Sequence, residues 1–178
     1  MQQVSRYHPA LVVLHWLLAV MILGLLFAGF FVVDKMPNSD PKKLDILMIH
    51  MSAGMTILVL MLARFAIRRA KTRPPAAETG HPLLDRLGRL VHSTFYIVVV
   101  LMAATGLATA LLAGLNRSVF QRDGEPLPAH FGDFPTFKMH ALLAFLLAAL
   151  VILHIAAALW HTFIRRDGLI RRMSFAKR

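Results

Sequence analysis

Four stretches, Leu11 to Val33, Leu44 to Ile67, Leu90 to Leu115 and Met139 to Ile164, are almost unbroken runs of apolar and small residues. Each is long enough to cross a hydrocarbon layer of about 30 Å as a helix, which takes about 20 residues. A chain of 178 residues with 57% apolar composition and a mean hydropathy of +0.62 has more apolar side chain than a water-soluble domain of that size can cover. Inside lipid every backbone N–H and C=O must be satisfied within the segment, so such runs become helices. The expected fold is therefore all-α: an integral membrane four-helix bundle, one transmembrane domain over 1–178, with helices at about 9–33, 44–68, 90–115 and 138–164. The first run is longer than a signal-peptide core and has no small-x-small site where a short one would end, so it is expected to be retained.

The net charge of +11 is distributed by topology. Fourteen cations lie at the N-terminus (Arg6), in the 64–89 connection (Arg64, Arg68, Arg69, Lys71, Arg73, Arg86, Arg89) and in the tail (Arg165, Arg166, Arg171, Arg172, Lys177, Arg178). Against them stand only Glu78, Asp85 and Asp167. The opposite loops balance to zero, with Lys35, Lys42, Lys43, Arg117, Arg122 and Lys138 against Asp34, Asp40, Asp45, Asp123, Glu125 and Asp133. The positive-inside rule then places both termini on the cytoplasmic side of the membrane. The basic excess needs no nucleic acid to explain it, and its partner is membrane lipid. With no cysteine in the chain, c-type haem attachment, thiolate-held iron–sulfur clusters and disulfides are excluded.

The run "HALLAFLLAALVILHIAAALWH" (140–161) carries histidines at 140, 154 and 161. Fourteen residues of helix return to nearly the same face about 21 Å further along the axis, a spacing that suits two stacked cofactors. An imidazole inside a bilayer is costly without a partner, so each is a functional candidate, the simpler alternative being an interhelical hydrogen bond. Of nine histidines, His8, His81 and His130 read as interface or loop residues, which leaves His15, His50, His92, His140, His154 and His161. Two axial ligands of one haem must sit at equal depth on opposite sides of the ring. His50 and His140 both lie near the outer ends of their helices and pair by depth. His15, near the inner end, has His154, His161 or His92 as its partner. A porphyrin lying on a helix also favours a small residue one turn from its ligand: Ala19, Gly54, Ala144 and Ala158 follow His15, His50, His140 and His154 at i+4, whereas Tyr96 and Arg165 follow His92 and His161. That count favours His15, His50, His140 and His154. Bis-histidine ligation leaves no open position and suits electron transfer, while zinc usually takes four close ligands.

Haem propionates need cations or water. Arg64, fourteen residues after His50, is the candidate for the inner pair, and Lys138 for the outer pair; both also read as interface anchors. Trp16, Trp160, Tyr7 and Tyr96 read as an aromatic belt, and the ten methionines as packing. Apart from the edge residue Asp45, the expected helices hold no carboxylate, which argues against a proton-coupled transporter.

The segments "LHWLLAV" (14–20), "MIHMSAGMTILVLMLARF" (48–65), "HSTFYIVVVLMAATGL" (92–107) and 140–161 together resemble the bacterial cytochrome b561 family of four-helix dihaem membrane proteins, over nearly the whole chain. The resemblance implies two haem b groups held by His15 with His154 and by His50 with His140, leaving His92 and His161 unassigned. It also implies an oxidoreductase that takes electrons from superoxide at the periplasmic side and passes them to ubiquinone. Lys42, Lys43, Arg117 and Lys138 are the outer cations available to attract the anion. A quinone needs an apolar cleft with a polar donor, for which His161, His92 and Lys138 are candidates. Two other readings compete: a cytochrome b anchor subunit relaying electrons from a partner dehydrogenase to quinone, and a haem-free metal-binding transporter or assembly factor.

Overall fold

The computed structural model describes residues 6–72, 74–75 and 80–175; Arg73, Glu78, Lys177 and Arg178 of the inner charge tally lie outside them. Four helices dominate: α1 (Pro9–Ala28), α2 (Lys42–Ala70), α3 (Pro82–Leu112) and α4 (Pro135–Trp160). All four are long and apolar enough to span a membrane. Three begin with proline in the first turn, where the missing N–H costs nothing because those donors have no partner inside the helix. At α1, Nδ1 of His8 accepts from Ala10 N–H at 3.3 Å and caps one such donor. Asp45 and Asp85 lie in the first turns of α2 and α3, and Arg68 and Arg69 in the last turn of α2, each with the sign that the helix dipole favours.

Helix α3 starts eight residues before the expected Leu90. The charges of Asp85, Arg86 and Arg89 depress hydropathy there, but Pro82 at the first position and the leucines at 83, 84, 87 and 90 keep the turns helical. Asp85 therefore does lie within a helix, in this charged extension. At the other end α3 stops at Leu112 rather than 115, because Gly114 turns the backbone to φ +67°, a left-handed conformation open to glycine. The axes of α1 and α4 run on into wide π-type turns at Gly29–Val33 and His161–Arg165.

Helix α1 packs closely on α2, α2 on α3 and α3 on α4. A core cluster joins all four: Leu18 and Ile22 of α1, Ile57 and Met61 of α2, Val98 and Val99 of α3, Leu143 and Leu147 of α4. Outside it the helices present large apolar side chains to their surroundings, such as Val20 (69% exposed) and Ile152 (67%). In water that surface would drive aggregation; lipid is the medium it fits.

The α3–α4 connection folds over the bundle end that the charge tally assigns to the outside. Leu115 and the fully buried Val119 pack with Leu47 and Ala110, and Leu127 and Phe131 lie against them. Asn38 Nδ2 donates to Pro128 O (2.6 Å) and Ala129 O (3.2 Å), and Arg122 pairs with Asp45 at 2.5 Å. At the inner end the tail returns to α1, where Trp16 Nε1 donates to Met173 O (2.8 Å) and Tyr7 N to Arg172 O (3.2 Å).

Candidate functional site: two facing histidine pairs

His15 projects from α1 toward His154 of α4, with ring centroids 6.1 Å apart and planes crossed at 73°. His50 of α2 and His140 of α4 face each other at 6.2 Å and 72°. Among the described residues, α4 has no close backbone approach to α1 or α2 comparable to its packing on α3. The imidazole pairs span these two more open interfaces. Between the two levels lies the apolar core, with Leu147 seven residues from both His140 and His154, and Ile57 seven residues beyond His50. The pairs are thus about 21 Å apart along α4, separated by side chains that exclude water.

The spacing within each pair is informative. Two metal–imidazole bonds of about 2 Å plus the two ring radii span about 6 Å, so the separation within each pair is compatible with one iron between its rings. The polar atoms nearby agree. His140 Nδ1 donates to Met102 O at 3.0 Å, which makes Nε2 the free lone pair; a ligating imidazole characteristically commits its second N–H in this way. His50 Nδ1 and Arg64 Nε are buried without a hydrogen-bond partner among the described residues. Arg64 Nη1 donates to Tyr96 OH at 2.6 Å, and its guanidinium is near enough to His15, His92 and His154 to act on all three electrostatically. A half-buried cation at the inner pair, with its Nε–H uncommitted, suits an anionic propionate. These residues fit haem.

Sequence reasoning passed over three contributors. The Met102 carbonyl carries no side-chain signal. Tyr96 read as an interface aromatic, yet its hydroxyl orients Arg64. At Gly106, an added Cβ would meet His140 Cε1 at 3.1 Å and Nδ1 at 3.2 Å, so the imidazole lies against α3 where only hydrogen fits comfortably. An isolated glycine inside a helical run was the visible sign of that close approach.

The other candidates are placed differently. Lys138 is exposed in the first turn of α4, two residues before His140 and so turned away from it around the helix. Lys43, expected as a surface attractor, is buried: its Nζ donates to Met36 O and Asn38 Oδ1, both at 2.6 Å. Arg117 pairs with Asp123 at 3.0 Å. Of the four cations expected to attract the anion, Lys42 and Lys138 are the exposed ones without an ion pair among the described residues. His161 Nδ1 donates to Asp167 Oδ2 at 2.6 Å, and His92 lies beside His154 at 5.4 Å.

The family model for prokaryotic cytochrome b561 matches residues 6–176. The chain is 28% identical over 179 residues to the probable superoxide oxidase CybB of Yersinia pestis, with 98% of each chain covered. It is also similar to two proteins of Escherichia coli K12. Cytochrome b561 homolog 2 is 24% identical, covering 95% of this chain and 91% of the relative; homolog 1 is 22% identical, covering 95% and 97%.

Proposed function

The chain belongs to the prokaryotic cytochrome b561 family of haem b membrane electron-transfer proteins, and from that premise we propose that it carries two haems and moves single electrons from superoxide to ubiquinone. The observation that carries this reading is the pair of facing imidazoles repeated at two depths, each spaced for one iron. His50 and His140 hold the outer haem and His15 and His154 the inner one, with Arg64 beside the inner propionates. Bound haem supplies reversible one-electron storage at each level. The protein's own part is to supply neutral imidazoles, to keep water from the apolar core between the levels, and to compensate charge with Arg64.

The multi-pass bundle lies in a bacterial inner membrane with both termini cytoplasmic, an orientation supported by the cations at its inner end. Superoxide as donor is supported by the name of the Yersinia pestis relative and by the exposed ammonium groups of Lys42 and Lys138 at the outer rim. The stoichiometry is fixed by charge. Two superoxide anions each release one electron and leave as oxygen, while ubiquinone takes those two electrons and two protons to become ubiquinol.

A reduced-minus-oxidised spectrum with pyridine-haemochrome quantification tests the cofactor content, and the expected result is two b haems per chain. The same preparation, given a superoxide source and a ubiquinone analogue, should form quinol in proportion to superoxide consumed. Two haems but no superoxide oxidation, with reduction by a co-purifying dehydrogenase, would assign the chain to the anchor-subunit role instead.

A further inference from the structure

The two α4 imidazoles differ in what stands behind them. Behind His140 is backbone, the Met102 carbonyl. Behind His154 is a side chain: His92 of α3 approaches it with ring centroids 5.4 Å apart and planes at 88°. The orientation of His92 is set by its own helix, because its Nδ1 lies 2.7 Å from the Gly88 carbonyl one turn earlier. A carbonyl only accepts, so Nδ1 of His92 carries the proton and Nε2 carries the lone pair.

Magnitudes separate this contact from ligation. A nitrogen-to-nitrogen hydrogen bond of about 2.9 Å plus two ring radii spans about 5 Å. An iron between two rings needs about 6 Å. His92 to His154, at 5.4 Å, is too close to hold a metal between the rings and within reach of a direct nitrogen-to-nitrogen bond once the rings align, although that bond is not made in this structure; His15 to His154, at 6.1 Å, falls on the metal side. Ligating histidines almost always donate their second N–H, yet no backbone carbonyl takes that part for His154 among the described residues. Phe95, the other ring against His154 on this side, has no acceptor to offer.

We propose that His92 is a positioning residue for the inner haem: its Nε2 accepts the Nδ1–H of His154, holding that ring with Nε2 toward the iron and making it a stronger electron donor. The relay runs from the Gly88 carbonyl through His92 to His154. It gives the inner ligand a side-chain partner where the outer ligand has a backbone one. The inference rests on the assignment of His154 as an inner ligand, and it explains a second intramembrane histidine that ligation does not use.

The test is a redox titration at one fixed pH on purified full-length His92→Phe and His92→Gln, with haem quantified in both. Phenylalanine keeps a ring but removes the acceptor, so one of the two midpoint potentials should rise while the other stays. The affected haem should also pass to apomyoglobin about 10- to 100-fold more readily, the usual cost of losing such a partner. Glutamine, whose amide oxygen accepts, should restore most of both properties. A His92→Phe protein titrating like the parent would overturn the proposal, as would His92→Gln behaving like His92→Phe. If His92→Phe loses one haem, the decision falls to His92→Gln: two haems at parental potentials support the relay, and loss of haem there too refutes it. His154→Ala serves as the separate control on ligation. Retention of both haems in that variant would remove the ligand assignment itself, whereas loss of one haem with His92→Phe unshifted would refute only the role of His92.

Discussion

A histidine in this bundle is defined by where its second nitrogen goes. His140 gives its Nδ1–H to a carbonyl, His161 gives its own to a carboxylate, and His50 Nδ1 is buried with no partner among the described residues. If the two facing pairs are the haem sites, His15→Ala and His50→Ala should each lose about half the haem by pyridine haemochrome, from different members of the redox pair. Full retention in either variant would break the pairing. Gly106→Ala puts a methyl 3.1 Å from His140 Cε1. The imidazole must shift, so the outer haem should be bound more weakly and its midpoint displaced, while the inner one titrates as before. Arg64→Ala removes a cation beside the inner pair. A cation favours the more negative, reduced state, so the inner midpoint should fall, and an unchanged titration would separate Arg64 from the propionates.

Helix ends and their attachments make a second level of organisation. The tail is docked on Trp16 of α1 and on Tyr7 just before that helix, and held to the π-type turn after α4 by the His161–Asp167 bond. Partial burial works against the Asp167 carboxylate, but the His161 hydrogen bond, the Leu169 N–H and the charges of His161 and Arg165 outweigh it and hold its pKa below the usual 3.8. A group depressed on folding stabilises above its unfolded pKa, and that contribution is lost as pH falls through the lower folded value. The part of the docking that depends on the Asp167 carboxylate should therefore be lost as pH falls below about 4. Trp16 fluorescence in a Trp160→Phe background reports this, and Asp167→Asn should loosen the tail at neutral pH and abolish the acid transition. Within the helices, Leu147 is 4% exposed at the midpoint between the two histidine levels. Leu147→Ala should cost about 2–5 kcal/mol of stability by thermal unfolding, because it leaves a cavity in the core shared by all four helices.

For the whole molecule, membrane orientation is the property on which the proposed direction of electron flow depends. The chain has no cysteine, so single cysteines can be introduced without background. Asp40→Cys, in the α1–α2 turn, should react in intact spheroplasts with a membrane-impermeant maleimide. Ser174→Cys, in the tail, should react only after permeabilisation, and the reverse pattern would invert the proposed topology. The charge balance supports the first outcome, because the inner connection and the tail carry most of the arginines of the sequence, while the outer ones pair with nearby carboxylates, Arg122 with Asp45 and Arg117 with Asp123.

What the amino-acid order determined by itself was everything that depends on periodicity and solvent. Four apolar runs must become spanning helices because lipid offers the backbone no other partner, and fourteen residues of helix must place His140 and His154 on one face. It also limited the possible partners of His15 to three, since depth along a helix can be counted. Where hydropathy was interrupted the count misled: Asp85, Arg86 and Arg89 hid the first two turns of α3. The small residue at i+4 and the family resemblance had already favoured His154 over His161 as the partner of His15, whereas only the tertiary structure set His161 on Asp167, tucked Lys43 under the outer loop and placed Gly106 and the Met102 carbonyl against His140. Those outcomes depend on how four nearly uniform apolar cylinders rotate about their axes. Apart from their histidines α1 and α4 are apolar on every side, so no hydrophobic stripe marks an inward face, and the rotation is decided by packing and by the few polar atoms that must find partners.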